Sequence, residues 1–250
     1  MIRLVYAFNK LPGLSEDEFH DYWLNTHGPL VAKNAELLRV KKYVQFHKID
    51  DPFIEEVRST RNSLKPYDGV ACLWIEDIER SVGEDSPPEE LEAEMALFED
   101  EKRFIDIPNS SMFWAQDHVI LEGEKREDGP VRKLIWVGRG LPELTIEAFQ
   151  SHYLNIHAPL CKSYADLIGI NRYVQSHTIN DPRNAMMQEI RGSKGPYDVF
   201  AEFIWDTEKR NSAVATPEGQ KAMQEIGVDE GKFIDFTRSA IWLADEHVIL

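Results

Sequence analysis

Sliding the 250-residue sequence against itself by 130 positions lays Leu24-Asn25-Thr26-His27-Gly28-Pro29-Leu30 on Leu154-Asn155-Ile156-His157-Ala158-Pro159-Leu160. At the same offset Tyr43-Val44-Gln45-Phe46-His47 meets Tyr173-Val174-Gln175-Ser176-His177, and Pro66-Tyr67-Asp68 meets Pro196-Tyr197-Asp198. Residues 14–52 share 16 identities in 39 positions with their counterparts, where average composition gives roughly two or three by chance. Towards the ends the offset becomes 129: Phe104-Ile105-Asp106 matches Phe233-Ile234-Asp235, and His118-Val119-Ile120-Leu121 matches His247-Val248-Ile249-Leu250. An internal duplication fixes the architecture before any single element does. The expected division is residues 1–121, a polar linker over 122–130, and residues 131–250, each half near the usual size of one domain.

Each half carries one pattern. Residues 2–9 read as a strand. Ser15 with Glu18 three positions on forms a capping box, and Phe19, Trp23, Thr26/His27, Leu30 and Leu37 follow at helical spacing. Residues 43–49 alternate as a strand, 70–75 form an apolar strand after the Pro66-Tyr67-Asp68-Gly69 turn, 88–103 a Glu-rich helix with a solvated charged face, and 113–121 a last strand. The order β-α-β-β-α-β is the ferredoxin-like split unit. One such sheet leaves a face uncovered, so two copies predict an α+β fold with the sheets together and the helices outside.

Charge removes several functions. With 28 Lys+Arg against 44 Asp+Glu, the net charge of −16 opposes binding to nucleic acid or an anionic membrane surface. No run of 18 apolar residues predicts a transmembrane helix, and Met1–Asn9 reads as a strand, without the layout of a signal peptide. Cys72 and Cys161 are too few for a disulfide framework, and a reduced, cytoplasmic setting is the default. No nucleotide-cradling glycine motif occurs, and His27 and His47 lie far apart in sequence with no carboxylate at metal-ligand spacing. The expectation is therefore no cofactor and no metal.

Leu14-Ser15-x-x-Glu18-Phe19, Tyr22-Trp23-x3-His27-Gly28-Pro29-Leu30, Tyr43-x-Gln45-x-His47 and Pro66-Tyr67-Asp68-Gly69-Val70-Ala71-x-Leu73-Trp74 together resemble the EthD family of the dimeric α+β barrel superfamily. The resemblance covers both halves. It implies an eight-stranded barrel that two chains usually build and that this chain builds alone as an internal pseudo-dimer, with a homodimer of the whole chain still open. It also implies chemistry without cofactors on aromatic or polyketide-like substrates, although fold alone does not choose a reaction.

The candidate site residues follow from local chemistry. Pro29 lacks an N–H and clashes with the preceding turn, so the helix is expected to kink and to place His27, and likewise His157, at a broken helix end facing the sheet. A helix C-terminal end favours the imidazolium, giving an acid–base group near neutral pH. Strand alternation puts Tyr43, Gln45 and His47 on one face, with Tyr173, Gln175 and His177 equivalent, and these are expected to share a pocket with His27 and His157. Position 72 is Cys where the second half has Glu202. A carboxylate in an apolar strand is costly unless paired, and its pKa would rise into a useful range, so the second half is expected to carry the main activity. Arg61 and Arg191 sit at matching loop positions and could hold a carboxylate or phenolate. Trp23 and Tyr153 are candidates to stack on a flat substrate. His118 and His247 read as surface or interface residues.

These residues favour a cofactor-free acid–base enzyme of lyase type, dehydrating or decarboxylating a small aromatic substrate. A cofactor-free monooxygenase or isomerase, or a non-catalytic protein that binds a hydrophobic metabolite, is the alternative.

Overall fold

The computed structural model describes residues 1–76, 87–123 and 132–250; most of the expected linker lies outside them. In the first half the elements are β1 (Ile2–Phe8), α1 (Glu16–Tyr22), α2 (Gly28–Asn34), β2 (Val40–Ile49), α3 (Pro52–Thr60), β3 (Gly69–Ile75), α4 (Pro88–Glu101) and β4 (Ser111–Leu121). The second half runs β5 (Arg132–Gly138), α5 (Ile146–His152), α6 (Ala158–Ile168), β6 (Ile170–Thr178), α7 (Pro182–Arg191), β7 (Val199–Trp205), α8 (Thr207–Val214), α9 (Pro217–Glu230) and β8 (Ala240–Val248). The predicted capping box at Ser15 is formed, with both reciprocal bonds to Glu18. Helices α3 and α7 were not expected. Asp51 and Asp181 cap their N-termini and Pro52 and Pro182 open them, a start signal that is readable in sequence.

All eight strands close into one antiparallel barrel in the order β1-β3-β2-β8-β5-β7-β6-β4. Within it β1–β4 lie as β4-β1-β3-β2 and β5–β8 as β8-β5-β7-β6. The two seams, β2 with β8 and β4 with β6, are both antiparallel. Alternation sends Val5, Val44, Phe113 and their counterparts into the barrel. The odd-numbered residues of β2, Tyr43, Gln45 and His47, point out to the helices, where a second layer of core surrounds Phe19, Trp23 and Phe104, and in the other half Phe149, Tyr153 and Phe233.

The helix through His27 does not break. Residues Trp23–His27, and Tyr153–His157 in the second half, form a π-turn that runs into α2 or α6 with right-handed dihedrals throughout. The Gly28 N–H reaches back five residues to the Trp23 carbonyl, and this widened turn absorbs the N–H that Pro29 lacks. Gln45 Nε2 adds a second donor to the same carbonyl at 3.0 Å, as Gln175 does to Tyr153 at 3.2 Å. The glutamines shared by the two halves therefore serve the π-turn.

Bulk is traded between the halves. A side chain at Gly69 would sit 2.4 Å from Trp23 Cζ3, and one at Gly138 2.1 Å from Trp136. At the matching places stand Tyr153 and Val199, in one core cluster, and Tyr6 and Phe8, whose rings touch. A larger ring is thus matched by a glycine beside it, on another element for Trp23 and Gly69 and two positions along the same strand for Trp136 and Gly138, as close packing demands.

Glu202 faces the barrel interior. Its carboxylate accepts from Lys133 Nζ at 2.8 Å and from Arg3 at 3.4 Å. Arg3, fully buried, also donates to Ser176 and Asp117 and lies over the Trp74 ring, while Lys133 pairs with Glu246. Burial alone would raise the Glu202 carboxyl, but Arg3 and Lys133 override it and hold it down to about 2. The rise expected from sequence is reversed because two buried cations meet the charge. Replacing Glu202 by Gln leaves Arg3 and Lys133 under-compensated in a dry interior. Urea unfolding of Glu202→Gln should show a loss on the order of 3 kcal/mol; a loss below about 0.5 kcal/mol would mean the cluster is hydrated and unimportant.

Candidate functional site

Among the described residues, a cavity lies in each half between the outer face of the barrel and its helices. The first, about 270 Å³, is walled by Tyr6, Phe8, Trp23, His27, Leu73, Phe98, Glu101 and Trp114. The second, about 240 Å³, has Trp136, Tyr153, His157, Cys161, Phe203, Trp205 and Glu230 in the corresponding region. The roof of each comes from the other half. Met187, Ile190 and Arg191 of α7 close the first, and Phe53, Ile54, Val57 and Arg61 at the end of α3 close the second. Both volumes fall below the roughly 300–1,000 Å³ of sites for drug-sized ligands.

In the first cavity His27 Nδ1 lies 2.8 Å from Asp100 Oδ2. Tyr22 donates its hydroxyl to the other carboxylate oxygen at 2.6 Å and fixes it. With the carboxylate accepting, Nδ1 carries the ring proton and Nε2 keeps the lone pair. No protein hydrogen bond to that Nε2 occurs among the described residues, and the ring lines the cavity. Burial pushes the His27 pKa below its ordinary value of 6.5, only partly offset by Asp100. The protonated histidine expected at a helix end is absent because the helix continues and the ring is 5% exposed.

Across the cavity Arg191 pairs with Glu101 and donates to the Tyr6 hydroxyl at 3.3 Å. Two donors on lining side chains, Arg191 Nε and Trp114 Nε1, are buried without a hydrogen-bond partner. Buried donors are rarely left so, since each forfeits its hydration. An acceptor brought by a ligand would satisfy them.

The second cavity repeats the dyad with two changes. His157 Nδ1 meets Asp229 Oδ2 at 3.0 Å, and His152, where the first half has Tyr22, holds Asp229 Oδ1 at 3.0 Å. Here His157 Nε2 is occupied: Cys161 Sγ stands 3.3 Å away. The first half has Val31 at that place. Arg61 pairs with Glu230 at 2.8 Å. The chemical differences around the two dyads thus lie at 22/152 and 31/161, and the Cys72/Glu202 difference belongs to the barrel interior.

Of the candidate residues, His27, Trp23 and Arg191 meet in the first cavity, and His157, Tyr153 and Arg61 in the second. Tyr43, Gln45 and His47, with Tyr173, Gln175 and His177, line neither. Trp23 stands between: its indole N–H donates to Tyr43 at 2.9 Å, and its ring stacks on His47 at 4.4 Å. His47 Nε2 donates to Gln45 Oε1 at 2.8 Å and His177 does the same to Gln175. The shared pocket of His27 and His47 is therefore absent, because a whole indole separates them. Glu202 lies on the far side of the sheet from both cavities.

Sequence reasoning missed Asp100, Glu101, Asp229 and Glu230, which it assigned to a solvated helix face. The 129-residue offset superimposes Asp100-Glu101 on Asp229-Glu230, four residues before the matched Phe104 and Phe233, and that was the available signal. It also placed Arg61 and Arg191 in loops, whereas they end α3 and α7. Among the described residues no group of three or more His, Cys, Asp or Glu side chains is arranged to hold a metal ion, and no helix is long and apolar enough to cross a membrane.

The sequence model of the EthD domain family matches residues 11–108 and again residues 141–237. No curated protein sequence matches. Among solved structures, an anthrone oxidase-like protein aligns over 99% of this chain and 92% of its own, at 12% identity and a TM-score of 0.51. A putative monooxygenase from Fusobacterium nucleatum subsp. nucleatum aligns over 100% and 92%, at 8% identity and a TM-score of 0.51. These two share the fold. An EthD family protein from Bacillus halodurans c-125 aligns 95% of its length on 45% of this chain, at 24% identity and a TM-score of 0.30.

Burial drives His47 down to about 2 and His177 to about 3, reinforced by His20 and His247 beside the first and His118 beside the second. Both are neutral when folded and protonate near 6.5 when unfolded. Their stabilisation is complete above pH 6.5 and is lost as the pH falls below it, by up to about 1.4 kcal/mol per pH unit for each group. Urea midpoints should fall between pH 7 and pH 5, and the double variant His47→Gln/His177→Gln should flatten that slope. An unchanged slope would assign acid lability to other groups.

Proposed function

The chain belongs to the EthD domain family, and from its first cavity we propose that it is a cofactor-independent base catalyst that oxidises a small, flat, hydrophobic substrate with dioxygen. The observation that carries this reading is the His27–Asp100 dyad, whose unengaged Nε2 belongs to a ring lining an apolar cavity that also holds unpartnered donors.

His27 Nε2 takes a proton from an acidic carbon beside a carbonyl or phenol. Asp100 holds the ring and stabilises the imidazolium that forms. The electron pair moves onto the substrate oxygen, where Arg191 Nε and Trp114 Nε1 supply the missing hydrogen bonds at the stage when negative charge develops. The carbanion reduces dioxygen, a carbon–oxygen bond forms, and loss of water from the resulting hydroperoxide leaves a new carbonyl. The overall balance is CH₂ plus O₂ giving C=O plus H₂O. Apolar walls suit both the ring system and dioxygen.

Lyase chemistry, the main expectation from sequence, has less support. Asp100 is committed to His27 and Glu101 to Arg191, which leaves neither to protonate a hydroxyl departing from carbon, whereas the weak O–O bond of a hydroperoxide breaks once a base removes the remaining C–H proton. The names carried by the two barrels of the same fold, an anthrone oxidase-like protein and a putative monooxygenase, agree with the oxygenase reading without carrying it.

The finer architecture belongs to the same proposal. Residues 1–121 and 131–250 act as two fused ferredoxin-like repeats, a pseudo-dimer within one chain, with a small aromatic molecule as partner.

The test is oxygen uptake with tricyclic ketones that have an acidic benzylic C–H. His27→Gln should lower kcat/KM about 10²–10⁴-fold. Because His27 must be neutral to act and its pKa is depressed, activity should hold on acidification to below pH 6.5 and fall only thereafter. Asp100→Asn removes a contribution that raises this pKa, so the acid limb should move lower still while the rate drops. Full activity in His27→Gln ends the proposal. Anaerobic turnover with release of water or carbon dioxide restores the lyase, and binding without turnover restores the accessory protein.

A further inference from the structure

The second cavity has its own chemistry. Cys161 Sγ, His157 Nε2, His157 Nδ1 and Asp229 form one chain of contacts, 3.3 Å and then 3.0 Å, and both Cys161 and His157 line the cavity. The thiol donates to the imidazole and the imidazole to the carboxylate, the order in which a nucleophile, a base and an orienting acid are arranged. Burial raises the thiol to about 12 and lowers His157 below 6.5. The resting pair is therefore neutral, S–H to N, with the proton poised to move only when sulfur attacks.

A second, independent feature points to a ligand. Trp205 and Arg210 also line this cavity, and Trp205 Nε1 and Arg210 Nε are buried without hydrogen-bond partners. From the thiol dyad and these donors we infer that the second cavity is a covalent site for an apolar electrophile, an α,β-unsaturated ketone or a quinone. Cys161 lies within α6, where the neighbouring N–H groups are committed to the helix. Paired backbone donors are therefore not on offer for the tetrahedral oxyanion of acyl transfer. Conjugate addition places the developing charge on an oxygen several atoms from sulfur, where side-chain donors in the wall can reach it.

The step balances without an oxidant or reductant. The Cys161 proton passes to His157 Nε2, the S–C bond forms at the β-carbon, and the C=C pair shifts to make an enolate at the oxygen. The imidazolium then returns its proton, to carbon for an enone or to oxygen for a quinone. Val31 removes this option from the first cavity, so the duplicated dyad serves a free base in one half and a nucleophile in the other.

The experiment uses the full-length chain in anaerobic buffer without substrate, so it is blind to the first cavity's turnover. N-phenylmaleimide is the probe, and the adduct is located by peptide mass spectrometry. Cys161 should be labelled in the native protein with a rate that saturates in reagent, and Cys72, enclosed in the barrel, should stay unlabelled until denaturation. His157→Gln and Asp229→Asn should each slow labelling at least tenfold while retaining the wild-type circular dichroism spectrum. Labelling of Cys161 only after denaturation, or a rate linear in reagent and equal in any folded variant of His157 or Asp229, overturns the inference. Saturation is read on the wild-type chain, so the proposal remains testable even where a variant fails to fold.

Discussion

A four-stranded sheet in the order β4-β1-β3-β2 has two open edges, and unpaired strand edges invite aggregation. Here each edge strand of one half pairs with an edge strand of the other, β2 with β8 and β4 with β6, and the barrel closes. The inward faces become one shared core in place of two wet surfaces. Buried between them is a charge cluster that draws on both halves: Arg3 and Asp117 from the first, Lys133, Ser176, Glu202 and Glu246 from the second. Closure and charge compensation are one event, because Arg3 has lost all solvent and finds Asp117 in its own half and Glu202 in the other.

Closure also sets the cavities. Helix α3 leaves the end of seam strand β2 and so comes to lie against the other half, and α7 leaves seam strand β6 in the same way. Each cavity therefore takes its dyad from its own half and its roof arginine from the other. The pairs Arg191–Glu101 and Arg61–Glu230 bridge positions far apart in sequence. Neither cavity would be complete in an isolated half. Within the one chain the two members differ: Val31 leaves His27 Nε2 open, and Cys161 engages His157.

Much of this was legible in the residues. The repeat, the order of the strands along the chain, the capping box at Ser15 and the placing of His27 and His157 on the helix face towards the sheet follow from spacing. The role of Pro29 did not. Its missing N–H is accommodated by a π-turn that depends on Gln45, a residue 22 positions from the carbonyl it serves. Asp100 and Glu101 were hidden in a helix whose composition resembles any solvated face. They become distinctive only because α4 turns them inward against His27 and Arg191.

Period-2 alternation determined which strand residues share a face, since successive side chains point to opposite sides. It could not say whether a given face looks into the barrel or out to the helices. Glu202 was misplaced for that reason, since it points into a salt-bridged interior; His47 does face the helices, but the Trp23 indole stands between it and His27. The duplication, with its two matched sets of four strands, dictated from sequence alone that the chain could supply both halves of a barrel. Tertiary structure decided which groups meet, because the contacts that make the sites, Arg191 with Glu101, Glu202 with Arg3, Cys161 with His157, depend on how the strands register and the helices pack.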